Sequence, residues 1–196
     1  DSGSDLDSVV AAIGETLSVS RVYIMRLDEQ VRSIEALHTW CAAPGADRWT
    51  DRLRQVGLVG LPWWRERLLA GEDVVIADVD APGADAAADA KIMQACGIRA
   101  ALAVPVQSAS GDLIGLVGFD DTDSSRDWER EEGRLLRLIA GRVAIYWQRR
   151  QSEEELRLTN ARLALLNCVS QRLNRGASLS DAIQQSCDGL RDVLGY

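Results

Sequence analysis

At 196 residues, 46% of them hydrophobic, the chain is long enough for one ordinary domain and a sizeable appendage. The 30 acidic against 22 basic residues leave a net charge of −8, which repels phosphate backbones and anionic membranes; the arginines are scattered, so no nucleic-acid partner is expected. No apolar run approaches the ~20 residues that cross a bilayer, and Asp1-Ser2-Gly3 does not open a signal peptide, so a cytoplasmic chain without membrane contact is expected.

In chain order, Asp5 to Leu17 places Leu6, Val9, Val10, Ile13 and Leu17 on one helical face, with Ser4 or Asp5 as cap. Arg21 to Leu27 and Ser33 to Cys41 read as an antiparallel hairpin about the polar turn Asp28-Glu29-Gln30. After a loop with Pro44 and Gly45, Pro62 opens a short helix over Trp63 to Leu69, closed by Gly71 before a strand from Val74 to Ala77. An Ala-rich helix, Asp85 to Cys96, leads to a second hairpin, Ala100 to Val106 and Leu113 to Asp120. Pro105 cannot donate to a ladder and implies an edge or a bulge there. This order predicts an α+β fold with a largely antiparallel sheet and helices on its faces, not repeated βαβ units.

From about Trp128 to Asn174 there is no proline, and one heptad frame fits nearly the whole stretch. It puts Leu138, Ile145, Ser152, Thr159, Leu166 and Leu173 at d, and Leu135, Arg142, Arg149, Leu156, Leu163 and Ser170 at a. The expected dimer seam, Leu135, Leu138, Ile145, Leu156, Leu163, Leu166 and Leu173, is apolar at both ends and polar between. Leu136, Ile139, Val143 and Trp147 form a second apolar face, too wide for a seam alone, so one face is expected on the domain and the other on a partner. Arg175-Gly176-Ala177 breaks the pattern. Leu179, Ile183 and Leu190 then repeat the spacing of Leu6, Val10 and Leu17, as if a second domain of the same type began behind Ser178. The expected division is a sensor domain over 1–150, a coiled-coil helix over 151–175 continuous with the helix from about 128, and the first helix of another domain over 176–196.

Chemical motifs are sparse. His38 is the single histidine, which excludes HExxH and two-histidine zinc sites and leaves an axial haem contact or a half-buried strand residue. GxxxxGK[ST], GxGxxG and GxSxG are all missing. Asp121, Asp123, Ser125, Asp127 and Glu132 echo a calcium loop, but Arg126 stands where its sharp turn needs glycine; helix capping accounts for the same acids. Cys41, Cys96, Cys168 and Cys187 form no CxxC pair, which argues against a zinc cluster or a disulfide framework. Cys41 and Cys96 read as small buried hydrophobes or as thiols able to anchor a chromophore. Trp40, Trp49, Trp63 and Trp64 could wall a ligand cavity or simply pack a core. No catalytic residue and no metal ligand is assigned.

Several stretches, in order, resemble the GAF domain family, in particular a subgroup found in bacterial sensor histidine kinases and diguanylate cyclases: His38-Thr39-Trp40-Cys41, Leu61-Pro62-Trp63-Trp64, Gly71 to Val79, Gly97 to Val106, Gly115 to Asp120, and Trp128. The match runs from Asp5 to Arg150. The resemblance implies a central antiparallel sheet with the first and last helices on one face and a small-molecule pocket on the other. Its carried-over pocket candidates are Trp40, Trp63, Trp64, Ile76, Asp78, Val104 and Phe119, with Asp78 either orienting a ligand or capping its loop. The cofactor is left unknown. Cyclic nucleotide is disfavoured because of that family pattern only Phe119-Asp120 remains, and covalent bilin because neither Cys41 nor Cys96 is followed by histidine.

The expected function is a non-enzymatic sensor or relay domain of a bacterial signalling protein. It takes a small ligand or an upstream signal and passes it through a parallel homodimeric coiled coil to an output domain outside the chain, a sensor histidine kinase or a cyclic-di-GMP enzyme. The alternatives are a ligand-free structural dimerisation module and a thiol-dependent methionine sulfoxide reductase.

Overall fold

A computed structural model describes residues 2–43 and 48–174, with side chains at 6–43 and 49–171. The expected helix behind Ser178, the break at Arg175, Cys187 and the side chain of Leu173 lie outside the described residues. The elements are α1 (Ser2–Thr16), β1 (Arg21–Leu27), β2 (Ile34–Cys41), α2 (Arg48–Val56), α3 (Pro62–Leu69), β3 (Val74–Ile76), α4 (Ala87–Ala95), β4 (Ala100–Gln107), β5 (Leu113–Asp121) and α5 (Arg130–Asn174). The first compact unit ends at Ile145, within α5, and the second begins at Tyr146.

The five strands form one sheet in the order β2-β1-β5-β4-β3, antiparallel throughout. The β1–β2 turn is set by Asp28, whose carboxylate accepts from the backbone N–H groups of Arg32 at 2.7 Å and Ser33 at 3.1 Å. Pro105 lies in β4, an inner strand. Its N–H is not missed because β3 pairs with β4 only from Ala101 to Ala103, so the outer edge of β4 is open at the proline. The register then shifts between Val106 and Gln107, a bulge beside the same residue.

Side-chain alternation divides the core into two layers. Tyr23, Met25, Ala101, Ala103 and Leu116 face α2, α3 and α4, and pack with Trp49, Leu53, Trp64, Leu68 and Met93. Val22, Ile24, Leu102, Val104, Val117 and Phe119 are equally buried and point to the opposite face. There α1 lies across β1 and β2. Gly14 of α1 leaves room for the ring of Trp40, which any Cβ at that position would strike. In α5, Leu136, Ala140 and Val143 are buried, while Leu138 and Ile145 are 62% and 61% exposed.

One element was not expected: α2, read as part of the loop after Pro44. Its nine residues carry four charges, yet Trp49, Leu53 and Val56 fall at helical spacing and the first two are buried. Short length and high charge hid the periodicity. The Ala-rich helix begins with a single 3₁₀ turn, Ala84–Ala86, before α4 proper.

Candidate functional site

Between the sheet and α2–α4 lies a small cavity of about 20 Å3, lined among others by Tyr23, Met25, Trp49, Trp64, Met93 and Asp120. Such a volume accommodates about one water molecule. Its walls are aromatic: the Tyr23 and Trp49 rings meet at 5.6 Å in a tilted arrangement. Gly118, opposite Tyr23 in the sheet, lets the phenol lie over β5, since any Cβ there would meet the ring.

The cavity has a charged end. Arg21 opens β1 and Asp120 nearly ends β5; the two are cross-strand partners, both buried, with Arg21 Nη1 3.6 Å from Asp120 Oδ2. The guanidinium donates to the Cys96 carbonyl at 3.2 Å and lies 4.8 Å from the centre of the Trp49 ring. Among the described residues no close hydrogen bond reaches either carboxylate oxygen of Asp120 or the Tyr23 hydroxyl, although Tyr23 and Arg21 both stand near enough to the acid to act as weak donors. Burial pushes the Asp120 carboxyl up to about 7, against the pull of Arg21. Burial also raises Tyr23 well above the usual phenol value, and the nearby Asp120 charge adds to the shift. The Cys96 thiol is raised by burial too, with Arg52 opposing.

A second buried acid is Asp89 on α4. It accepts the backbone N–H of Trp64 at 3.0 Å, supplying to α3 the N-terminal cap that Leu61, as cap residue, has no side chain to provide. Its other oxygen is without a partner among the described residues, and burial raises its pKa while that hydrogen bond lowers it.

Of the seven pocket candidates only Trp64 lines the cavity. Register places Val104 and Phe119 on the opposite face of the sheet, alternate to Ala103 and Asp120. Trp40, paired with Val22, lies on that same face, its ring under α1. Trp63, Ile76 and Asp78 line instead an open outer groove of about 430 Å3 beside β3, with Arg67 5.4 Å over the Trp63 ring. Asp78 holds its own loop, its carboxylate accepting the backbone N–H of Asp80 at 2.9 Å. His38 meets Asp7 of α1 at 2.7 Å, a pairing that accounts for it within the fold. The cavity residues that sequence reading missed are Arg21, Tyr23 and Asp120; the available signal was an arginine opening β1 and an aspartate near the end of β5, both in largely apolar strands.

Between β5 and α5 the chain passes along the outer edge of β3. The Arg126 N–H donates to the Ala77 carbonyl at 2.8 Å and the Trp128 indole N–H to the Ile76 carbonyl at 3.1 Å. The Arg126 side chain reaches Asp121 at 3.4 Å, Glu132 at 2.6 Å and the Ser18 carbonyl. Glu132 in turn accepts the Glu129 N–H at 2.8 Å, closing the first turn of α5. Two of the acids that echoed a calcium loop, Asp121 and Glu132, are thus engaged by Arg126.

The family model that matches is that of the GAF domain, over residues 4–147. Among solved structures, the chain is similar to the GAF3 domain of Slr1393 from Synechocystis sp. PCC6803 in its photoproduct state (24% identity, TM-score 0.62, covering 79% of this chain and 98% of that one). It is also similar to a domain assigned to a two-component sensor histidine kinase of Sinorhizobium meliloti 1021 (19% identity, TM-score 0.58, 79% and 96%). A third is the GAF domain region of a protein assigned to the membrane of Geobacter sulfurreducens PCA (14% identity, TM-score 0.53, 76% and 93%). No curated protein matches the chain. At these identities the likeness carries the fold. Among the described residues, no helix is long and apolar enough to cross a membrane.

Proposed function

Because the chain belongs to the GAF domain family, we propose that it is a regulatory relay domain that signals through α5 as a parallel homodimer. The output domain, a sensor histidine kinase or a cyclic-di-GMP enzyme, lies outside this chain. The observation that carries this reading is the exposure of the heptad positions. Leu138, Ile145, Leu156, Leu163 and Leu166 are all more than half exposed and all belong to one a/d frame. A helix that displays five large apolar residues at that spacing to water is matched by a copy of itself.

The polar layers of the seam, Arg142, Arg149, Ser152 and Thr159, weaken it locally and let two packings stay close in energy. Arg149 is engaged within its own helix by Glu153 at 2.8 Å, leaving the middle of the seam without an apolar contact of its own. The test is a disulfide between copies at Leu156 or Leu163 in the protein that carries the output domain. Locking the seam is expected to hold output in one state; output that responds as before would refute the relay.

One observation favours a second reading, a dimerisation module without an organic ligand. Tyr23, Trp49, Trp64, Met25 and Met93 fill the interior to about 20 Å3, far below the ~300 Å3 of an ordinary ligand pocket. Native mass spectrometry of the chain purified from its host separates the readings: a bound small molecule supports ligand sensing, and a bare dimer supports the module.

A further inference from the structure

Asp120 is the buried charge that packing does not account for. Its side chain is fully buried and borders the cavity, and no close hydrogen bond from the described residues reaches it; Tyr23 and Arg21 stand near enough to act only as weak donors. The groups around it come from each neighbouring element. They are Arg21 and Tyr23 from β1, Cys96 just past α4, Trp49 and Arg52 from α2, and Asp121 beside it on β5. Arg21 divides its guanidinium between this carboxylate, the Cys96 carbonyl and the Trp49 ring, so the compensation is incomplete. The cavity alongside has room for about one water, enough to hydrogen-bond either form of the acid and too little for an organic ligand.

The next residue, Asp121 at the end of β5, faces the other way and is linked to the start of α5 through Arg126. Asp121 accepts Ser20 Oγ at 3.1 Å and meets Arg126, which meets Glu132 of the first turn of α5. The backbone of this junction is fixed at the same place: the Thr122 N–H donates to Ser20 Oγ at 3.1 Å and the Arg99 N–H to the Asp121 carbonyl at 2.8 Å. A charge that appears or disappears on Asp120 therefore does so one residue from the acid that holds Arg126.

We propose that Asp120 is a proton-binding switch: its gain or loss of one proton changes the charge beside Asp121 and so the hold of the Asp121–Arg126–Glu132 chain on the first turn of α5. The ligand is the proton itself. This goes beyond the relay reading by giving it an input, and it depends on that reading only for what happens farther along the helix. Burial places the carboxyl at about 7, so both charge states are populated near neutrality.

The test is a titration of the whole 196-residue chain by nuclear magnetic resonance between about pH 5 and pH 9. It follows the Asp120 carboxyl carbon, the Trp128 indole N–H and the Arg126 side chain. The expected result is an Asp120 midpoint within about one unit of neutrality, with the Trp128 and Arg126 signals moving at the same midpoint. Asp121→Asn is expected to leave the Asp120 titration in place while the Trp128 response falls several-fold. Asp120→Asn is expected to abolish both; if that variant does not fold, the first two comparisons still decide. Because histidine also changes charge in this range, His38→Gln is titrated as a control and is expected to keep the response. The proposal is overturned if Asp120 titrates in the ordinary carboxylate range, if Trp128 and Arg126 stay flat while it titrates, or if Asp121→Asn or His38→Gln gives the opposite outcome. None of these results depends on the dimer seam, so the switch and the relay fail separately.

Discussion

A carboxylate buried beside two tryptophans and a tyrosine, with no close hydrogen bond, changes how stability depends on pH. Folding raises the Asp120 pKa from 3.8 to about 7, so between those values the folded chain holds a proton that the unfolded chain has released. The resulting stabilisation is full below pH 3.8 and is lost as the pH rises through about 7. Its slope is at most about 1.4 kcal/mol per pH unit. Asp120→Asn, neutral and of the same shape, removes that slope. Urea unfolding of both chains at about pH 5 and about pH 7 is therefore expected to show the variant gaining on the parent by on the order of 2 kcal/mol at the higher pH. A difference that does not change with pH would contradict the assignment. Asp89 poses a simpler case: as the cap that α4 lends to α3, it is expected to cost about 1–3 kcal/mol as Asp89→Ala and clearly less as Asp89→Asn, measured in the same way. Asn keeps the oxygen that accepts the Trp64 N–H and carries no buried charge.

At the scale of elements, what the sequence could disclose followed from periodicity. The two hairpins and the long helix emerged because alternation and heptad spacing extend over many residues, and of the edge or bulge that Pro105 implied the structure has the bulge, in an inner strand. The nine residues of α2, four of them charged, gave too short a pattern. Which residues border the cavity was less legible, for a reason of parity. Val104 and Phe119 sit in the right strands, but one residue of register separates the cavity face from the helix face, and that phase is set by pairing across strands. Asp120, one residue past Phe119, is the group that points into the cavity. On α5, the exposed seam makes a prediction of its own: Leu156→Glu or Leu163→Glu places charge at an a position. Sedimentation equilibrium should show dimer affinity weakened by at least about tenfold, roughly 1.4 kcal/mol, while near-ultraviolet circular dichroism of the tryptophans is unchanged. Unchanged dimer affinity in both variants would mean that the seam does not carry association.

In the molecule as a whole, a GAF domain whose interior is nearly filled is continuous with a helix of 45 residues whose apolar seam is open. Such an interior suits a domain that converts a small local change into a shift of its helices better than one that encloses a large cofactor. In the proposed relay, a second copy aligned in parallel and in register carries the shift along the helix. Cross-linking tests that requirement most directly. Leu156→Cys places a thiol at an a position, where the two copies of a parallel in-register dimer meet, and Arg157→Cys places one a residue away on the outer face. Under mild oxidation, and relative to the parent chain with its own cysteines, a parallel relay helix predicts rapid covalent dimer for Leu156→Cys and little for Arg157→Cys. Equal cross-linking of the two, or none at position 156, would contradict it.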